Sequence, residues 1–574
     1  MTPASSRSTH ARTVLAVALA ALLASSGCSA EAEARRLGPT LMQMARNLGT
    51  DVMRALVRGY VPGRSGDVAL IPEPWNVLGQ WKLGREGVRD PRSTHATPWS
   101  YHQRVPLTLY GPGYVRPSVR VDRPVDVADL APTLAELLEF EFDAPAGSVL
   151  REALVPASKR PEPPRAIVTV VFDGGGWNVL SEWPDAWPAQ RRYMQAGTTY
   201  TNATNGSAPS VTAPIHATIG TGAFPRVHGI AENACRLPDG SIGDIALERA
   251  DMRLMTAETL ADAWDRSTNN QAWVGMVGYE SWHLGMMGRG ASANGGDSDP
   301  AVLWDTEVTD FWTNLNDYDL PTYLPSRSSL DAHVEELDAS DGARDGRWGG
   351  NLLDPELYQF PGNPAFAAHY GEAMLQMARN EPIGQDDVTD MAFFEFKTGD
   401  IAGHVWGMQG RSFKTVWRTQ DRMFGELIRI LDRRIGHGRY VLAVTADHGQ
   451  TPIAENYGGL RIDRFELGDD LDAQFGVVET AQPSDLYVDH AELEEEGISL
   501  TEIARFIGDY RYEEGMPSGF DPDELPADLL NRRVFAGAFP GPFLESLSHS
   551  EIEALGPGIY DEGDLTSVPG DLPF

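Results

Sequence analysis

From residue 165 onward, short apolar runs alternate with longer amphipathic stretches. Ile167–Phe172, Ala272–Val277 and Tyr440–Thr445 are apolar runs of strand length with few polar interruptions, as expected of strands covered on both faces. Thr212–Thr221 and Thr256–Trp264 read as helices, and Phe413–Leu431 spaces its apolar residues as a long amphipathic helix does. The alternation predicts an α/β fold with a mostly parallel sheet sandwiched between helices. Upstream, Leu41–Val57 has helical spacing, Gly66–Pro72 and Val105–Tyr110 read as strands, and Asp129–Leu138 reads as a capped helix. Residues 157–164, rich in Pro, Lys and Arg, form the most linker-like stretch. Residues from about 280 to 385 carry much Gly, Asp, Asn, Trp and Tyr and predict an irregular lid or cap. Beyond residue 491 one helix, Leu500–Tyr510, stands among acidic, Pro-rich connections.

Charge narrows the partners. Lys and Arg number 47 against 82 Asp and Glu, a net charge of −35. That balance disfavours nucleic acid as a stable partner and binding to anionic lipid. The N-terminus has the form of an export signal: Arg7 and Arg12 precede the apolar run Val14–Leu23, which is too short to span a bilayer. Gly27-Cys28 follows, similar to a bacterial lipoprotein signal, although Ser25 stands where a larger aliphatic residue is usual. The expectation is an exported protein whose only membrane tie is a lipid on Cys28, with simple cleavage near Ala24–Ala30 as the alternative. Cys28 and Cys235 are the only cysteines, so neither a disulfide framework nor a thiolate metal site is expected.

Metal-binding side chains follow three of the apolar runs. Asp173 ends the first and precedes Gly174-Gly-Gly176, Asp400-Ile-Ala-Gly-His404 follows Ala392–Phe396, and Asp447-His448-Gly449 follows Val441–Ala446. Ligands gather outside the carboxyl ends of strands in open α/β sheets. Asp and His four apart converge on one ion when they flank a helical turn. A strand-end turn or a helix cap is the ordinary alternative for each motif taken singly. Thr212, in Pro209-Ser-Val-Thr-Ala-Pro-Ile-His216, is a candidate nucleophile at a helix N-terminus, and N-capping is its ordinary role. Asn233 follows as a candidate donor to a phosphoryl oxygen.

The order of Asp173, Pro209–His216, Thr221-Gly-Ala-Phe-Pro-Arg-Val-His228-Gly, Asp400–His404 and Asp447-His448-Gly resembles the alkaline phosphatase superfamily. Within it the similarity is greatest to the nucleotide pyrophosphatase/phosphodiesterase branch and its threonine-nucleophile phosphatase relatives. The resemblance spans about 165–450 and implies an alkaline-phosphatase-like core holding two zinc ions, with Mn as an alternative. It implies Thr212 as nucleophile on the zinc held by Asp173, Asp447 and His448. Asp400 and His404 would hold the other zinc, and Asn233 would touch the phosphoryl group.

The second zinc then lacks a ligand. The family's third His lies after the Asp-His-Gly motif, where this chain offers only His549. A similar segment occurs instead near the N-terminus: Ser93-Thr-His95-Ala-Thr-Pro-Trp, then Val105-Pro-Leu and Gly111-Pro-Gly113. The resemblance therefore implies a circularly permuted chain with His95 as the third ligand, Ala96 replacing the usual Gly. The expected division is a signal over 1–28, a permuted core segment over 37–156 and a linker over 157–164. A core over 165–490 with a cap at about 280–385 follows, and 491–574 completes the core.

Thr212-Ala-Pro-Ile-His216 does not supply the Cys/Ser-x-Pro-x-Arg motif of a sulfatase. Tyr279 and Ser281 stand where the threonine phosphomonoesterases carry a Lys-x-Arg pair that grips a dianion. The implied activity is hydrolysis of small-molecule phosphodiesters through a phosphothreonine. The alternatives are a phosphomonoesterase, a phosphoryl-type transferase and a non-catalytic metal-binding surface lipoprotein. Oligomeric state is left open.

Overall fold

Strand Ala166–Val171 lies within a ten-stranded sheet and is buried at every position. Its side chains alternate between two cores. Val168 and Val170 enter one, with Trp177, Trp417 and Phe424, while Ile167 and Val171 enter the other, with Ile215, Ile219 and Leu260. This two-residue period on a wholly apolar run is what burial on both faces demands. Asp390–Glu395 and Tyr440–Thr445 flank it in parallel, with Val168 in register with both Ala392 and Leu442. Val274–Val277 and Ala301–Asp305 continue the parallel order on one side, and Asp310–Trp312 closes that edge antiparallel.

On the other side Arg104–Tyr110 pairs antiparallel with Tyr440–Thr445, then Thr198–Thr204 and Val119–Val121 follow. The N-terminal segment is thus built into the central sheet, directly beside the strand that leads to Asp447. The sheet is mixed α/β and mostly parallel, as its alternating pattern predicts. A smaller four-stranded sheet joins Val68–Pro72 to Phe535–Pro540 and Asp485–Val488, knitting the two ends of the chain together.

The computed structural model describes residues 39–79, 92–245, 252–306, 308–357, 359–516, 527–560 and 568–569. The signal segment 1–28 and Cys28 lie outside the described residues. No helix among the described residues is long and apolar enough to cross a membrane.

Residues 280–385 differ from the irregular segment expected. Ala301–Asp305 and Asp310–Trp312 extend the main sheet, and the 17-residue helix Pro364–Asn380 packs against Arg411–Leu431. The aromatic residues that gave this region its character supply core: Trp304, Phe366 and Tyr370 are buried together with Tyr279. Gly, Asp and Asn mark the loops between short elements. Helix 256–264 begins later than expected, at Leu260, because Thr259 caps it by accepting the Asp262 N–H.

Candidate active site and metal centre

The three central strands end flush: Val171, Glu395 and Thr445 are register partners. Asp173, Lys397 and Asp447 each follow two residues later and leave the sheet at one level. Asp447 Oδ1 accepts the N–H groups of Gly174 (3.0 Å) and His448 (2.8 Å), which turns Oδ2 toward His448 Nε2 at 3.2 Å. Asp173 Oδ1 lies 3.5 Å from the same nitrogen. Asp173, Asp447 and His448 are all buried, with one ligand atom from each within 4.8 Å of the others. The Asp-His-Gly turn has no room for a side chain at its third position, since a Cβ on Gly449 would sit 2.1 Å from the Tyr101 carbonyl oxygen.

A second group forms beside it. Asp400 and His404 lie one turn apart on helix Thr398–Trp406, with His404 Nε2 3.4 Å from Asp400 Oδ2. His95 comes from the N-terminal segment and places Nε2 3.5 Å from Asp400 Oδ1. Each ring of the two groups is fixed by a backbone carbonyl: His95 Nδ1 bonds Ser210 O (2.8 Å), His404 Nδ1 bonds Ser93 O (2.9 Å), and His448 Nδ1 bonds Gly449 O (2.9 Å). Nδ1–H as donor leaves each Nε2 as a lone-pair donor facing inward, the form a metal requires. His549, by contrast, lies on a short surface helix, its side chain 84% exposed beside Glu553.

Thr212 is the first residue of helix Thr212–Thr221 and is buried, where the positive end of the helix dipole favours negative charge on its oxygen. Asn233 accepts the Ala213 N–H through Oδ1 (2.9 Å) and so braces the same helical turn. With His95, Thr94, Glu232 and Ser484 it lines a cavity of about 210 Å³.

Four further side chains complete the surroundings and escaped the sequence reading. Lys397 places Nζ 2.9 Å from Asp173 Oδ2, 2.8 Å from Asp400 Oδ2 and 3.1 Å from Thr212 Oγ1. Glu395 and His283 adjoin it, with His283 Nε2 3.4 Å from Asp173 Oδ2 and 3.5 Å from Glu395 Oε2. Asp173, His216 and His283 also meet the spacing of metal ligands. A signal for Glu395 and Lys397 was present: two ionisable residues two apart at the end of an apolar run fall on one side of a strand.

Burial opposes charge on Asp173, yet Lys397 beside it holds the carboxyl below its ordinary range. Asp400 is likewise held low against burial, by Lys397 and then His404. Asp447 is pushed well up by burial and by Asp173. His95 is pushed well down by burial and then by His448.

The donors fit divalent metal. Asp173 Oδ1, Asp447 Oδ2 and His448 Nε2 are shut off from solvent without a hydrogen-bond partner among the described residues, although each faces the other two. Buried polar atoms are nearly always satisfied, and a shared cation satisfies all three at once.

Residues 167–496, more than half of the chain, match the family described as type I phosphodiesterase / nucleotide pyrophosphatase. The chain belongs to this family. The fold agrees: wild-type alkaline phosphatase PafA superposes with a TM-score of 0.51 at 17% identity, over 66% of this chain and 85% of that one. Murine ectonucleotide pyrophosphatase / phosphodiesterase 5 overlaps less well, with a TM-score of 0.32 at 14% identity over 65% of this chain and 78% of that one. No curated protein sequence matches the chain.

Proposed function

We propose that the chain is a two-metal phosphodiesterase with Thr212 as nucleophile. The observation that carries this reading is the position of Thr212 Oγ1. It stands at a helix N-terminus, 3.1 Å from Lys397 Nζ, which in turn bridges one carboxylate of each ligand group. Asp173, Asp447 and His448 would hold one ion, and Asp400, His404 and His95 the other. Zinc suits imidazole and carboxylate donors without thiolate, and supplies Lewis-acid stabilisation of the charge that develops at the nucleophile and the phosphoryl oxygens.

The chain's own part is positioning and charge. Thr212 gives up its hydroxyl proton to solvent and Oγ1 forms a bond to phosphorus as the bond to the leaving oxygen breaks in line, the departing alkoxide taking up a proton from water. Water then cleaves the phosphothreonine and restores the hydroxyl. The helix N-terminus and the Lys397 ammonium stabilise negative charge on Oγ1 throughout. Asn233, braced through Oδ1, is left with Nδ2 to donate to a phosphoryl oxygen.

A diester fits better than a monoester. The lining of the cavity beside Asn233 contains Glu232 and, among the described residues, no Lys or Arg to match a second phosphate charge. Tyr279 packs in the core against Phe366 and Tyr370 and supplies no grip on a phosphate. Export, with a lipid on Cys28, completes the proposal, and mass spectrometry of the membrane fraction tests it.

The decisive assay compares bis-p-nitrophenyl phosphate with p-nitrophenyl phosphate on the purified protein, stripped of metal and then given zinc. Zinc-dependent cleavage favouring the diester is expected, with Thr212→Ala losing at least about 10³-fold in kcat/KM. A preference for the monoester would move the reading to a phosphomonoesterase. Cleavage that survives Thr212→Ala would overturn the mechanism.

A further inference from the structure

A second group of ligand-type side chains lies at the amino-terminal ends of the parallel strands, opposite the ends that lead to Asp173 and Asp447. Asp265 sits in the last turn of helix Leu260–Ser267, while Asp297 and Asp299 precede strand Ala301–Asp305. One oxygen from each falls within 4.8 Å of the other two. Asp299 Oδ2 accepts the N–H of Val274, the first residue of its strand. Asp173 and Asp447 follow the last residues of strands parallel to that one, so this cluster is separated from them by the length of the strands.

Asp265 is 94% buried (6% exposed), and its Oδ1 has no hydrogen-bond partner among the described residues. Asp297 Oδ1 is shut off from solvent and equally without a partner. Asn270, whose N–H donates to the Asp265 carbonyl, buries a third unpartnered oxygen, its Oδ1. Burial and then Asp297 push Asp265 up to about 7, and burial and then Asp297 push Asp299 up to about 8. Asp262 adds to the same rise at Asp265. Arg266, its neighbour in sequence, is paired with Glu258 instead.

Three carboxylates that close, with orphaned oxygens and no basic partner among the described residues, are costly unless they share protons or a cation. The donors are all oxygen, which selects a hard ion over zinc. Calcium takes such oxygens at about 2.3–2.6 Å in irregular arrangements, so opposed donors stand about 4.8 Å apart, whereas magnesium demands a tighter octahedron. We propose that Asp265, Asp297 and Asp299 form a calcium site that ties the loop entering strand Ala301–Asp305 to the end of helix Leu260–Ser267. The ion is structural and lies apart from Thr212. It fixes the root of the segment that runs from residue 280 to 385.

The test uses the full chain, stripped with chelator, reloaded with saturating zinc and titrated with calcium chloride by isothermal calorimetry. One calcium per chain is expected, together with a rise in unfolding temperature. Asp297→Asn should abolish both while leaving zinc-dependent turnover within about twofold, as for a substitution remote from the reacting groups. The same variant should unfold at a higher temperature than wild type without calcium, because one of three facing charges is gone. Asp265→Asn provides the same comparison should Asp297→Asn fail to fold. The site is refuted if wild type gives no calcium heat, if the variants keep full stoichiometry, or if excess zinc displaces the calcium.

Discussion

The imidazoles of His95 and His448 stack face to face, with ring centroids 3.6 Å apart and planes inclined by 17°. One belongs to the group around Asp400 and the other to the group around Asp173, so the stack couples the two halves of the site. Both rings are pushed below their ordinary range, chiefly by burial. Stacked imidazolium ions would repel, so the arrangement favours two neutral rings with lone pairs on Nε2. His95→Ala is expected to remove one bound zinc per chain and to lower turnover by at least about 10²-fold, beyond the usual cost of losing an outer partner. His549→Ala should change neither. Metal analysis beside the diester assay checks both, and unchanged zinc content in His95→Ala would remove that residue from the ligand set.

Lys397 joins Asp173 and Asp400 at 2.9 and 2.8 Å inside a buried site. Breaking a buried ion pair from one side costs about 3–5 kcal/mol, because the other charge is stranded. Lys397→Met should therefore lower the unfolding temperature strongly in metal-free protein. Zinc would supply the missing positive charge, so the deficit should shrink in the zinc-loaded form while turnover stays depressed. Equal losses of stability in both forms would mean that Lys397 and the metals do not share these carboxylates.

The sheet was legible because its strands are buried on both faces, which leaves continuous apolar runs such as Ile167–Phe172 and Tyr440–Thr445. The ligands were legible because they follow those runs at fixed offsets. Glu395 and Lys397 left only a weak signal, their two-residue spacing at the end of an apolar run, and His283 left none; a charged residue near a strand end is ordinarily solvated, and only tertiary burial makes it part of a site. The segment 280–385 misled for a related reason. Trp304 enters the core from a five-residue strand among polar loops, while Phe366 and Tyr370 enter it from the 17-residue helix Pro364–Asn380, which the surrounding Gly, Asp and Asn residues masked.

Ala96 follows His95 and holds φ at +103°, a conformation that favours glycine. The family-like motif has Gly at this point, and the backbone keeps the shape such a Gly would give. Ala→Gly ordinarily destabilises by roughly 0.5–1 kcal/mol. At this position relief of a strain worth about 1 kcal/mol or more opposes that loss. Ala96→Gly should therefore leave the unfolding free energy unchanged or raise it by up to about 1 kcal/mol, with zinc binding retained. A loss beyond about 1 kcal/mol in urea unfolding would show that the backbone at residue 96 is not strained.

His228 is buried, and its ring is held as the neutral tautomer from both ends. Nδ1 accepts the Ile230 N–H at 3.1 Å, and Nε2–H donates to Thr218 Oγ1 at 3.2 Å. Protonation would set one N–H against another, and burial pushes the group down to about 3. Because the folded value lies below the unfolded value near 6.5, the contribution is complete above pH 6.5 and is lost as pH falls toward 3. In that window the unfolded chain binds the extra proton, which costs about 1.4 kcal/mol of stability per pH unit. His228→Gln keeps an acceptor and a donor but cannot titrate, so its unfolding free energy should fall less steeply between about pH 6 and 4. The difference in slope from wild type should approach one proton, since the remaining histidines are common to both proteins. Parallel slopes would show that His228 is already protonated in the fold.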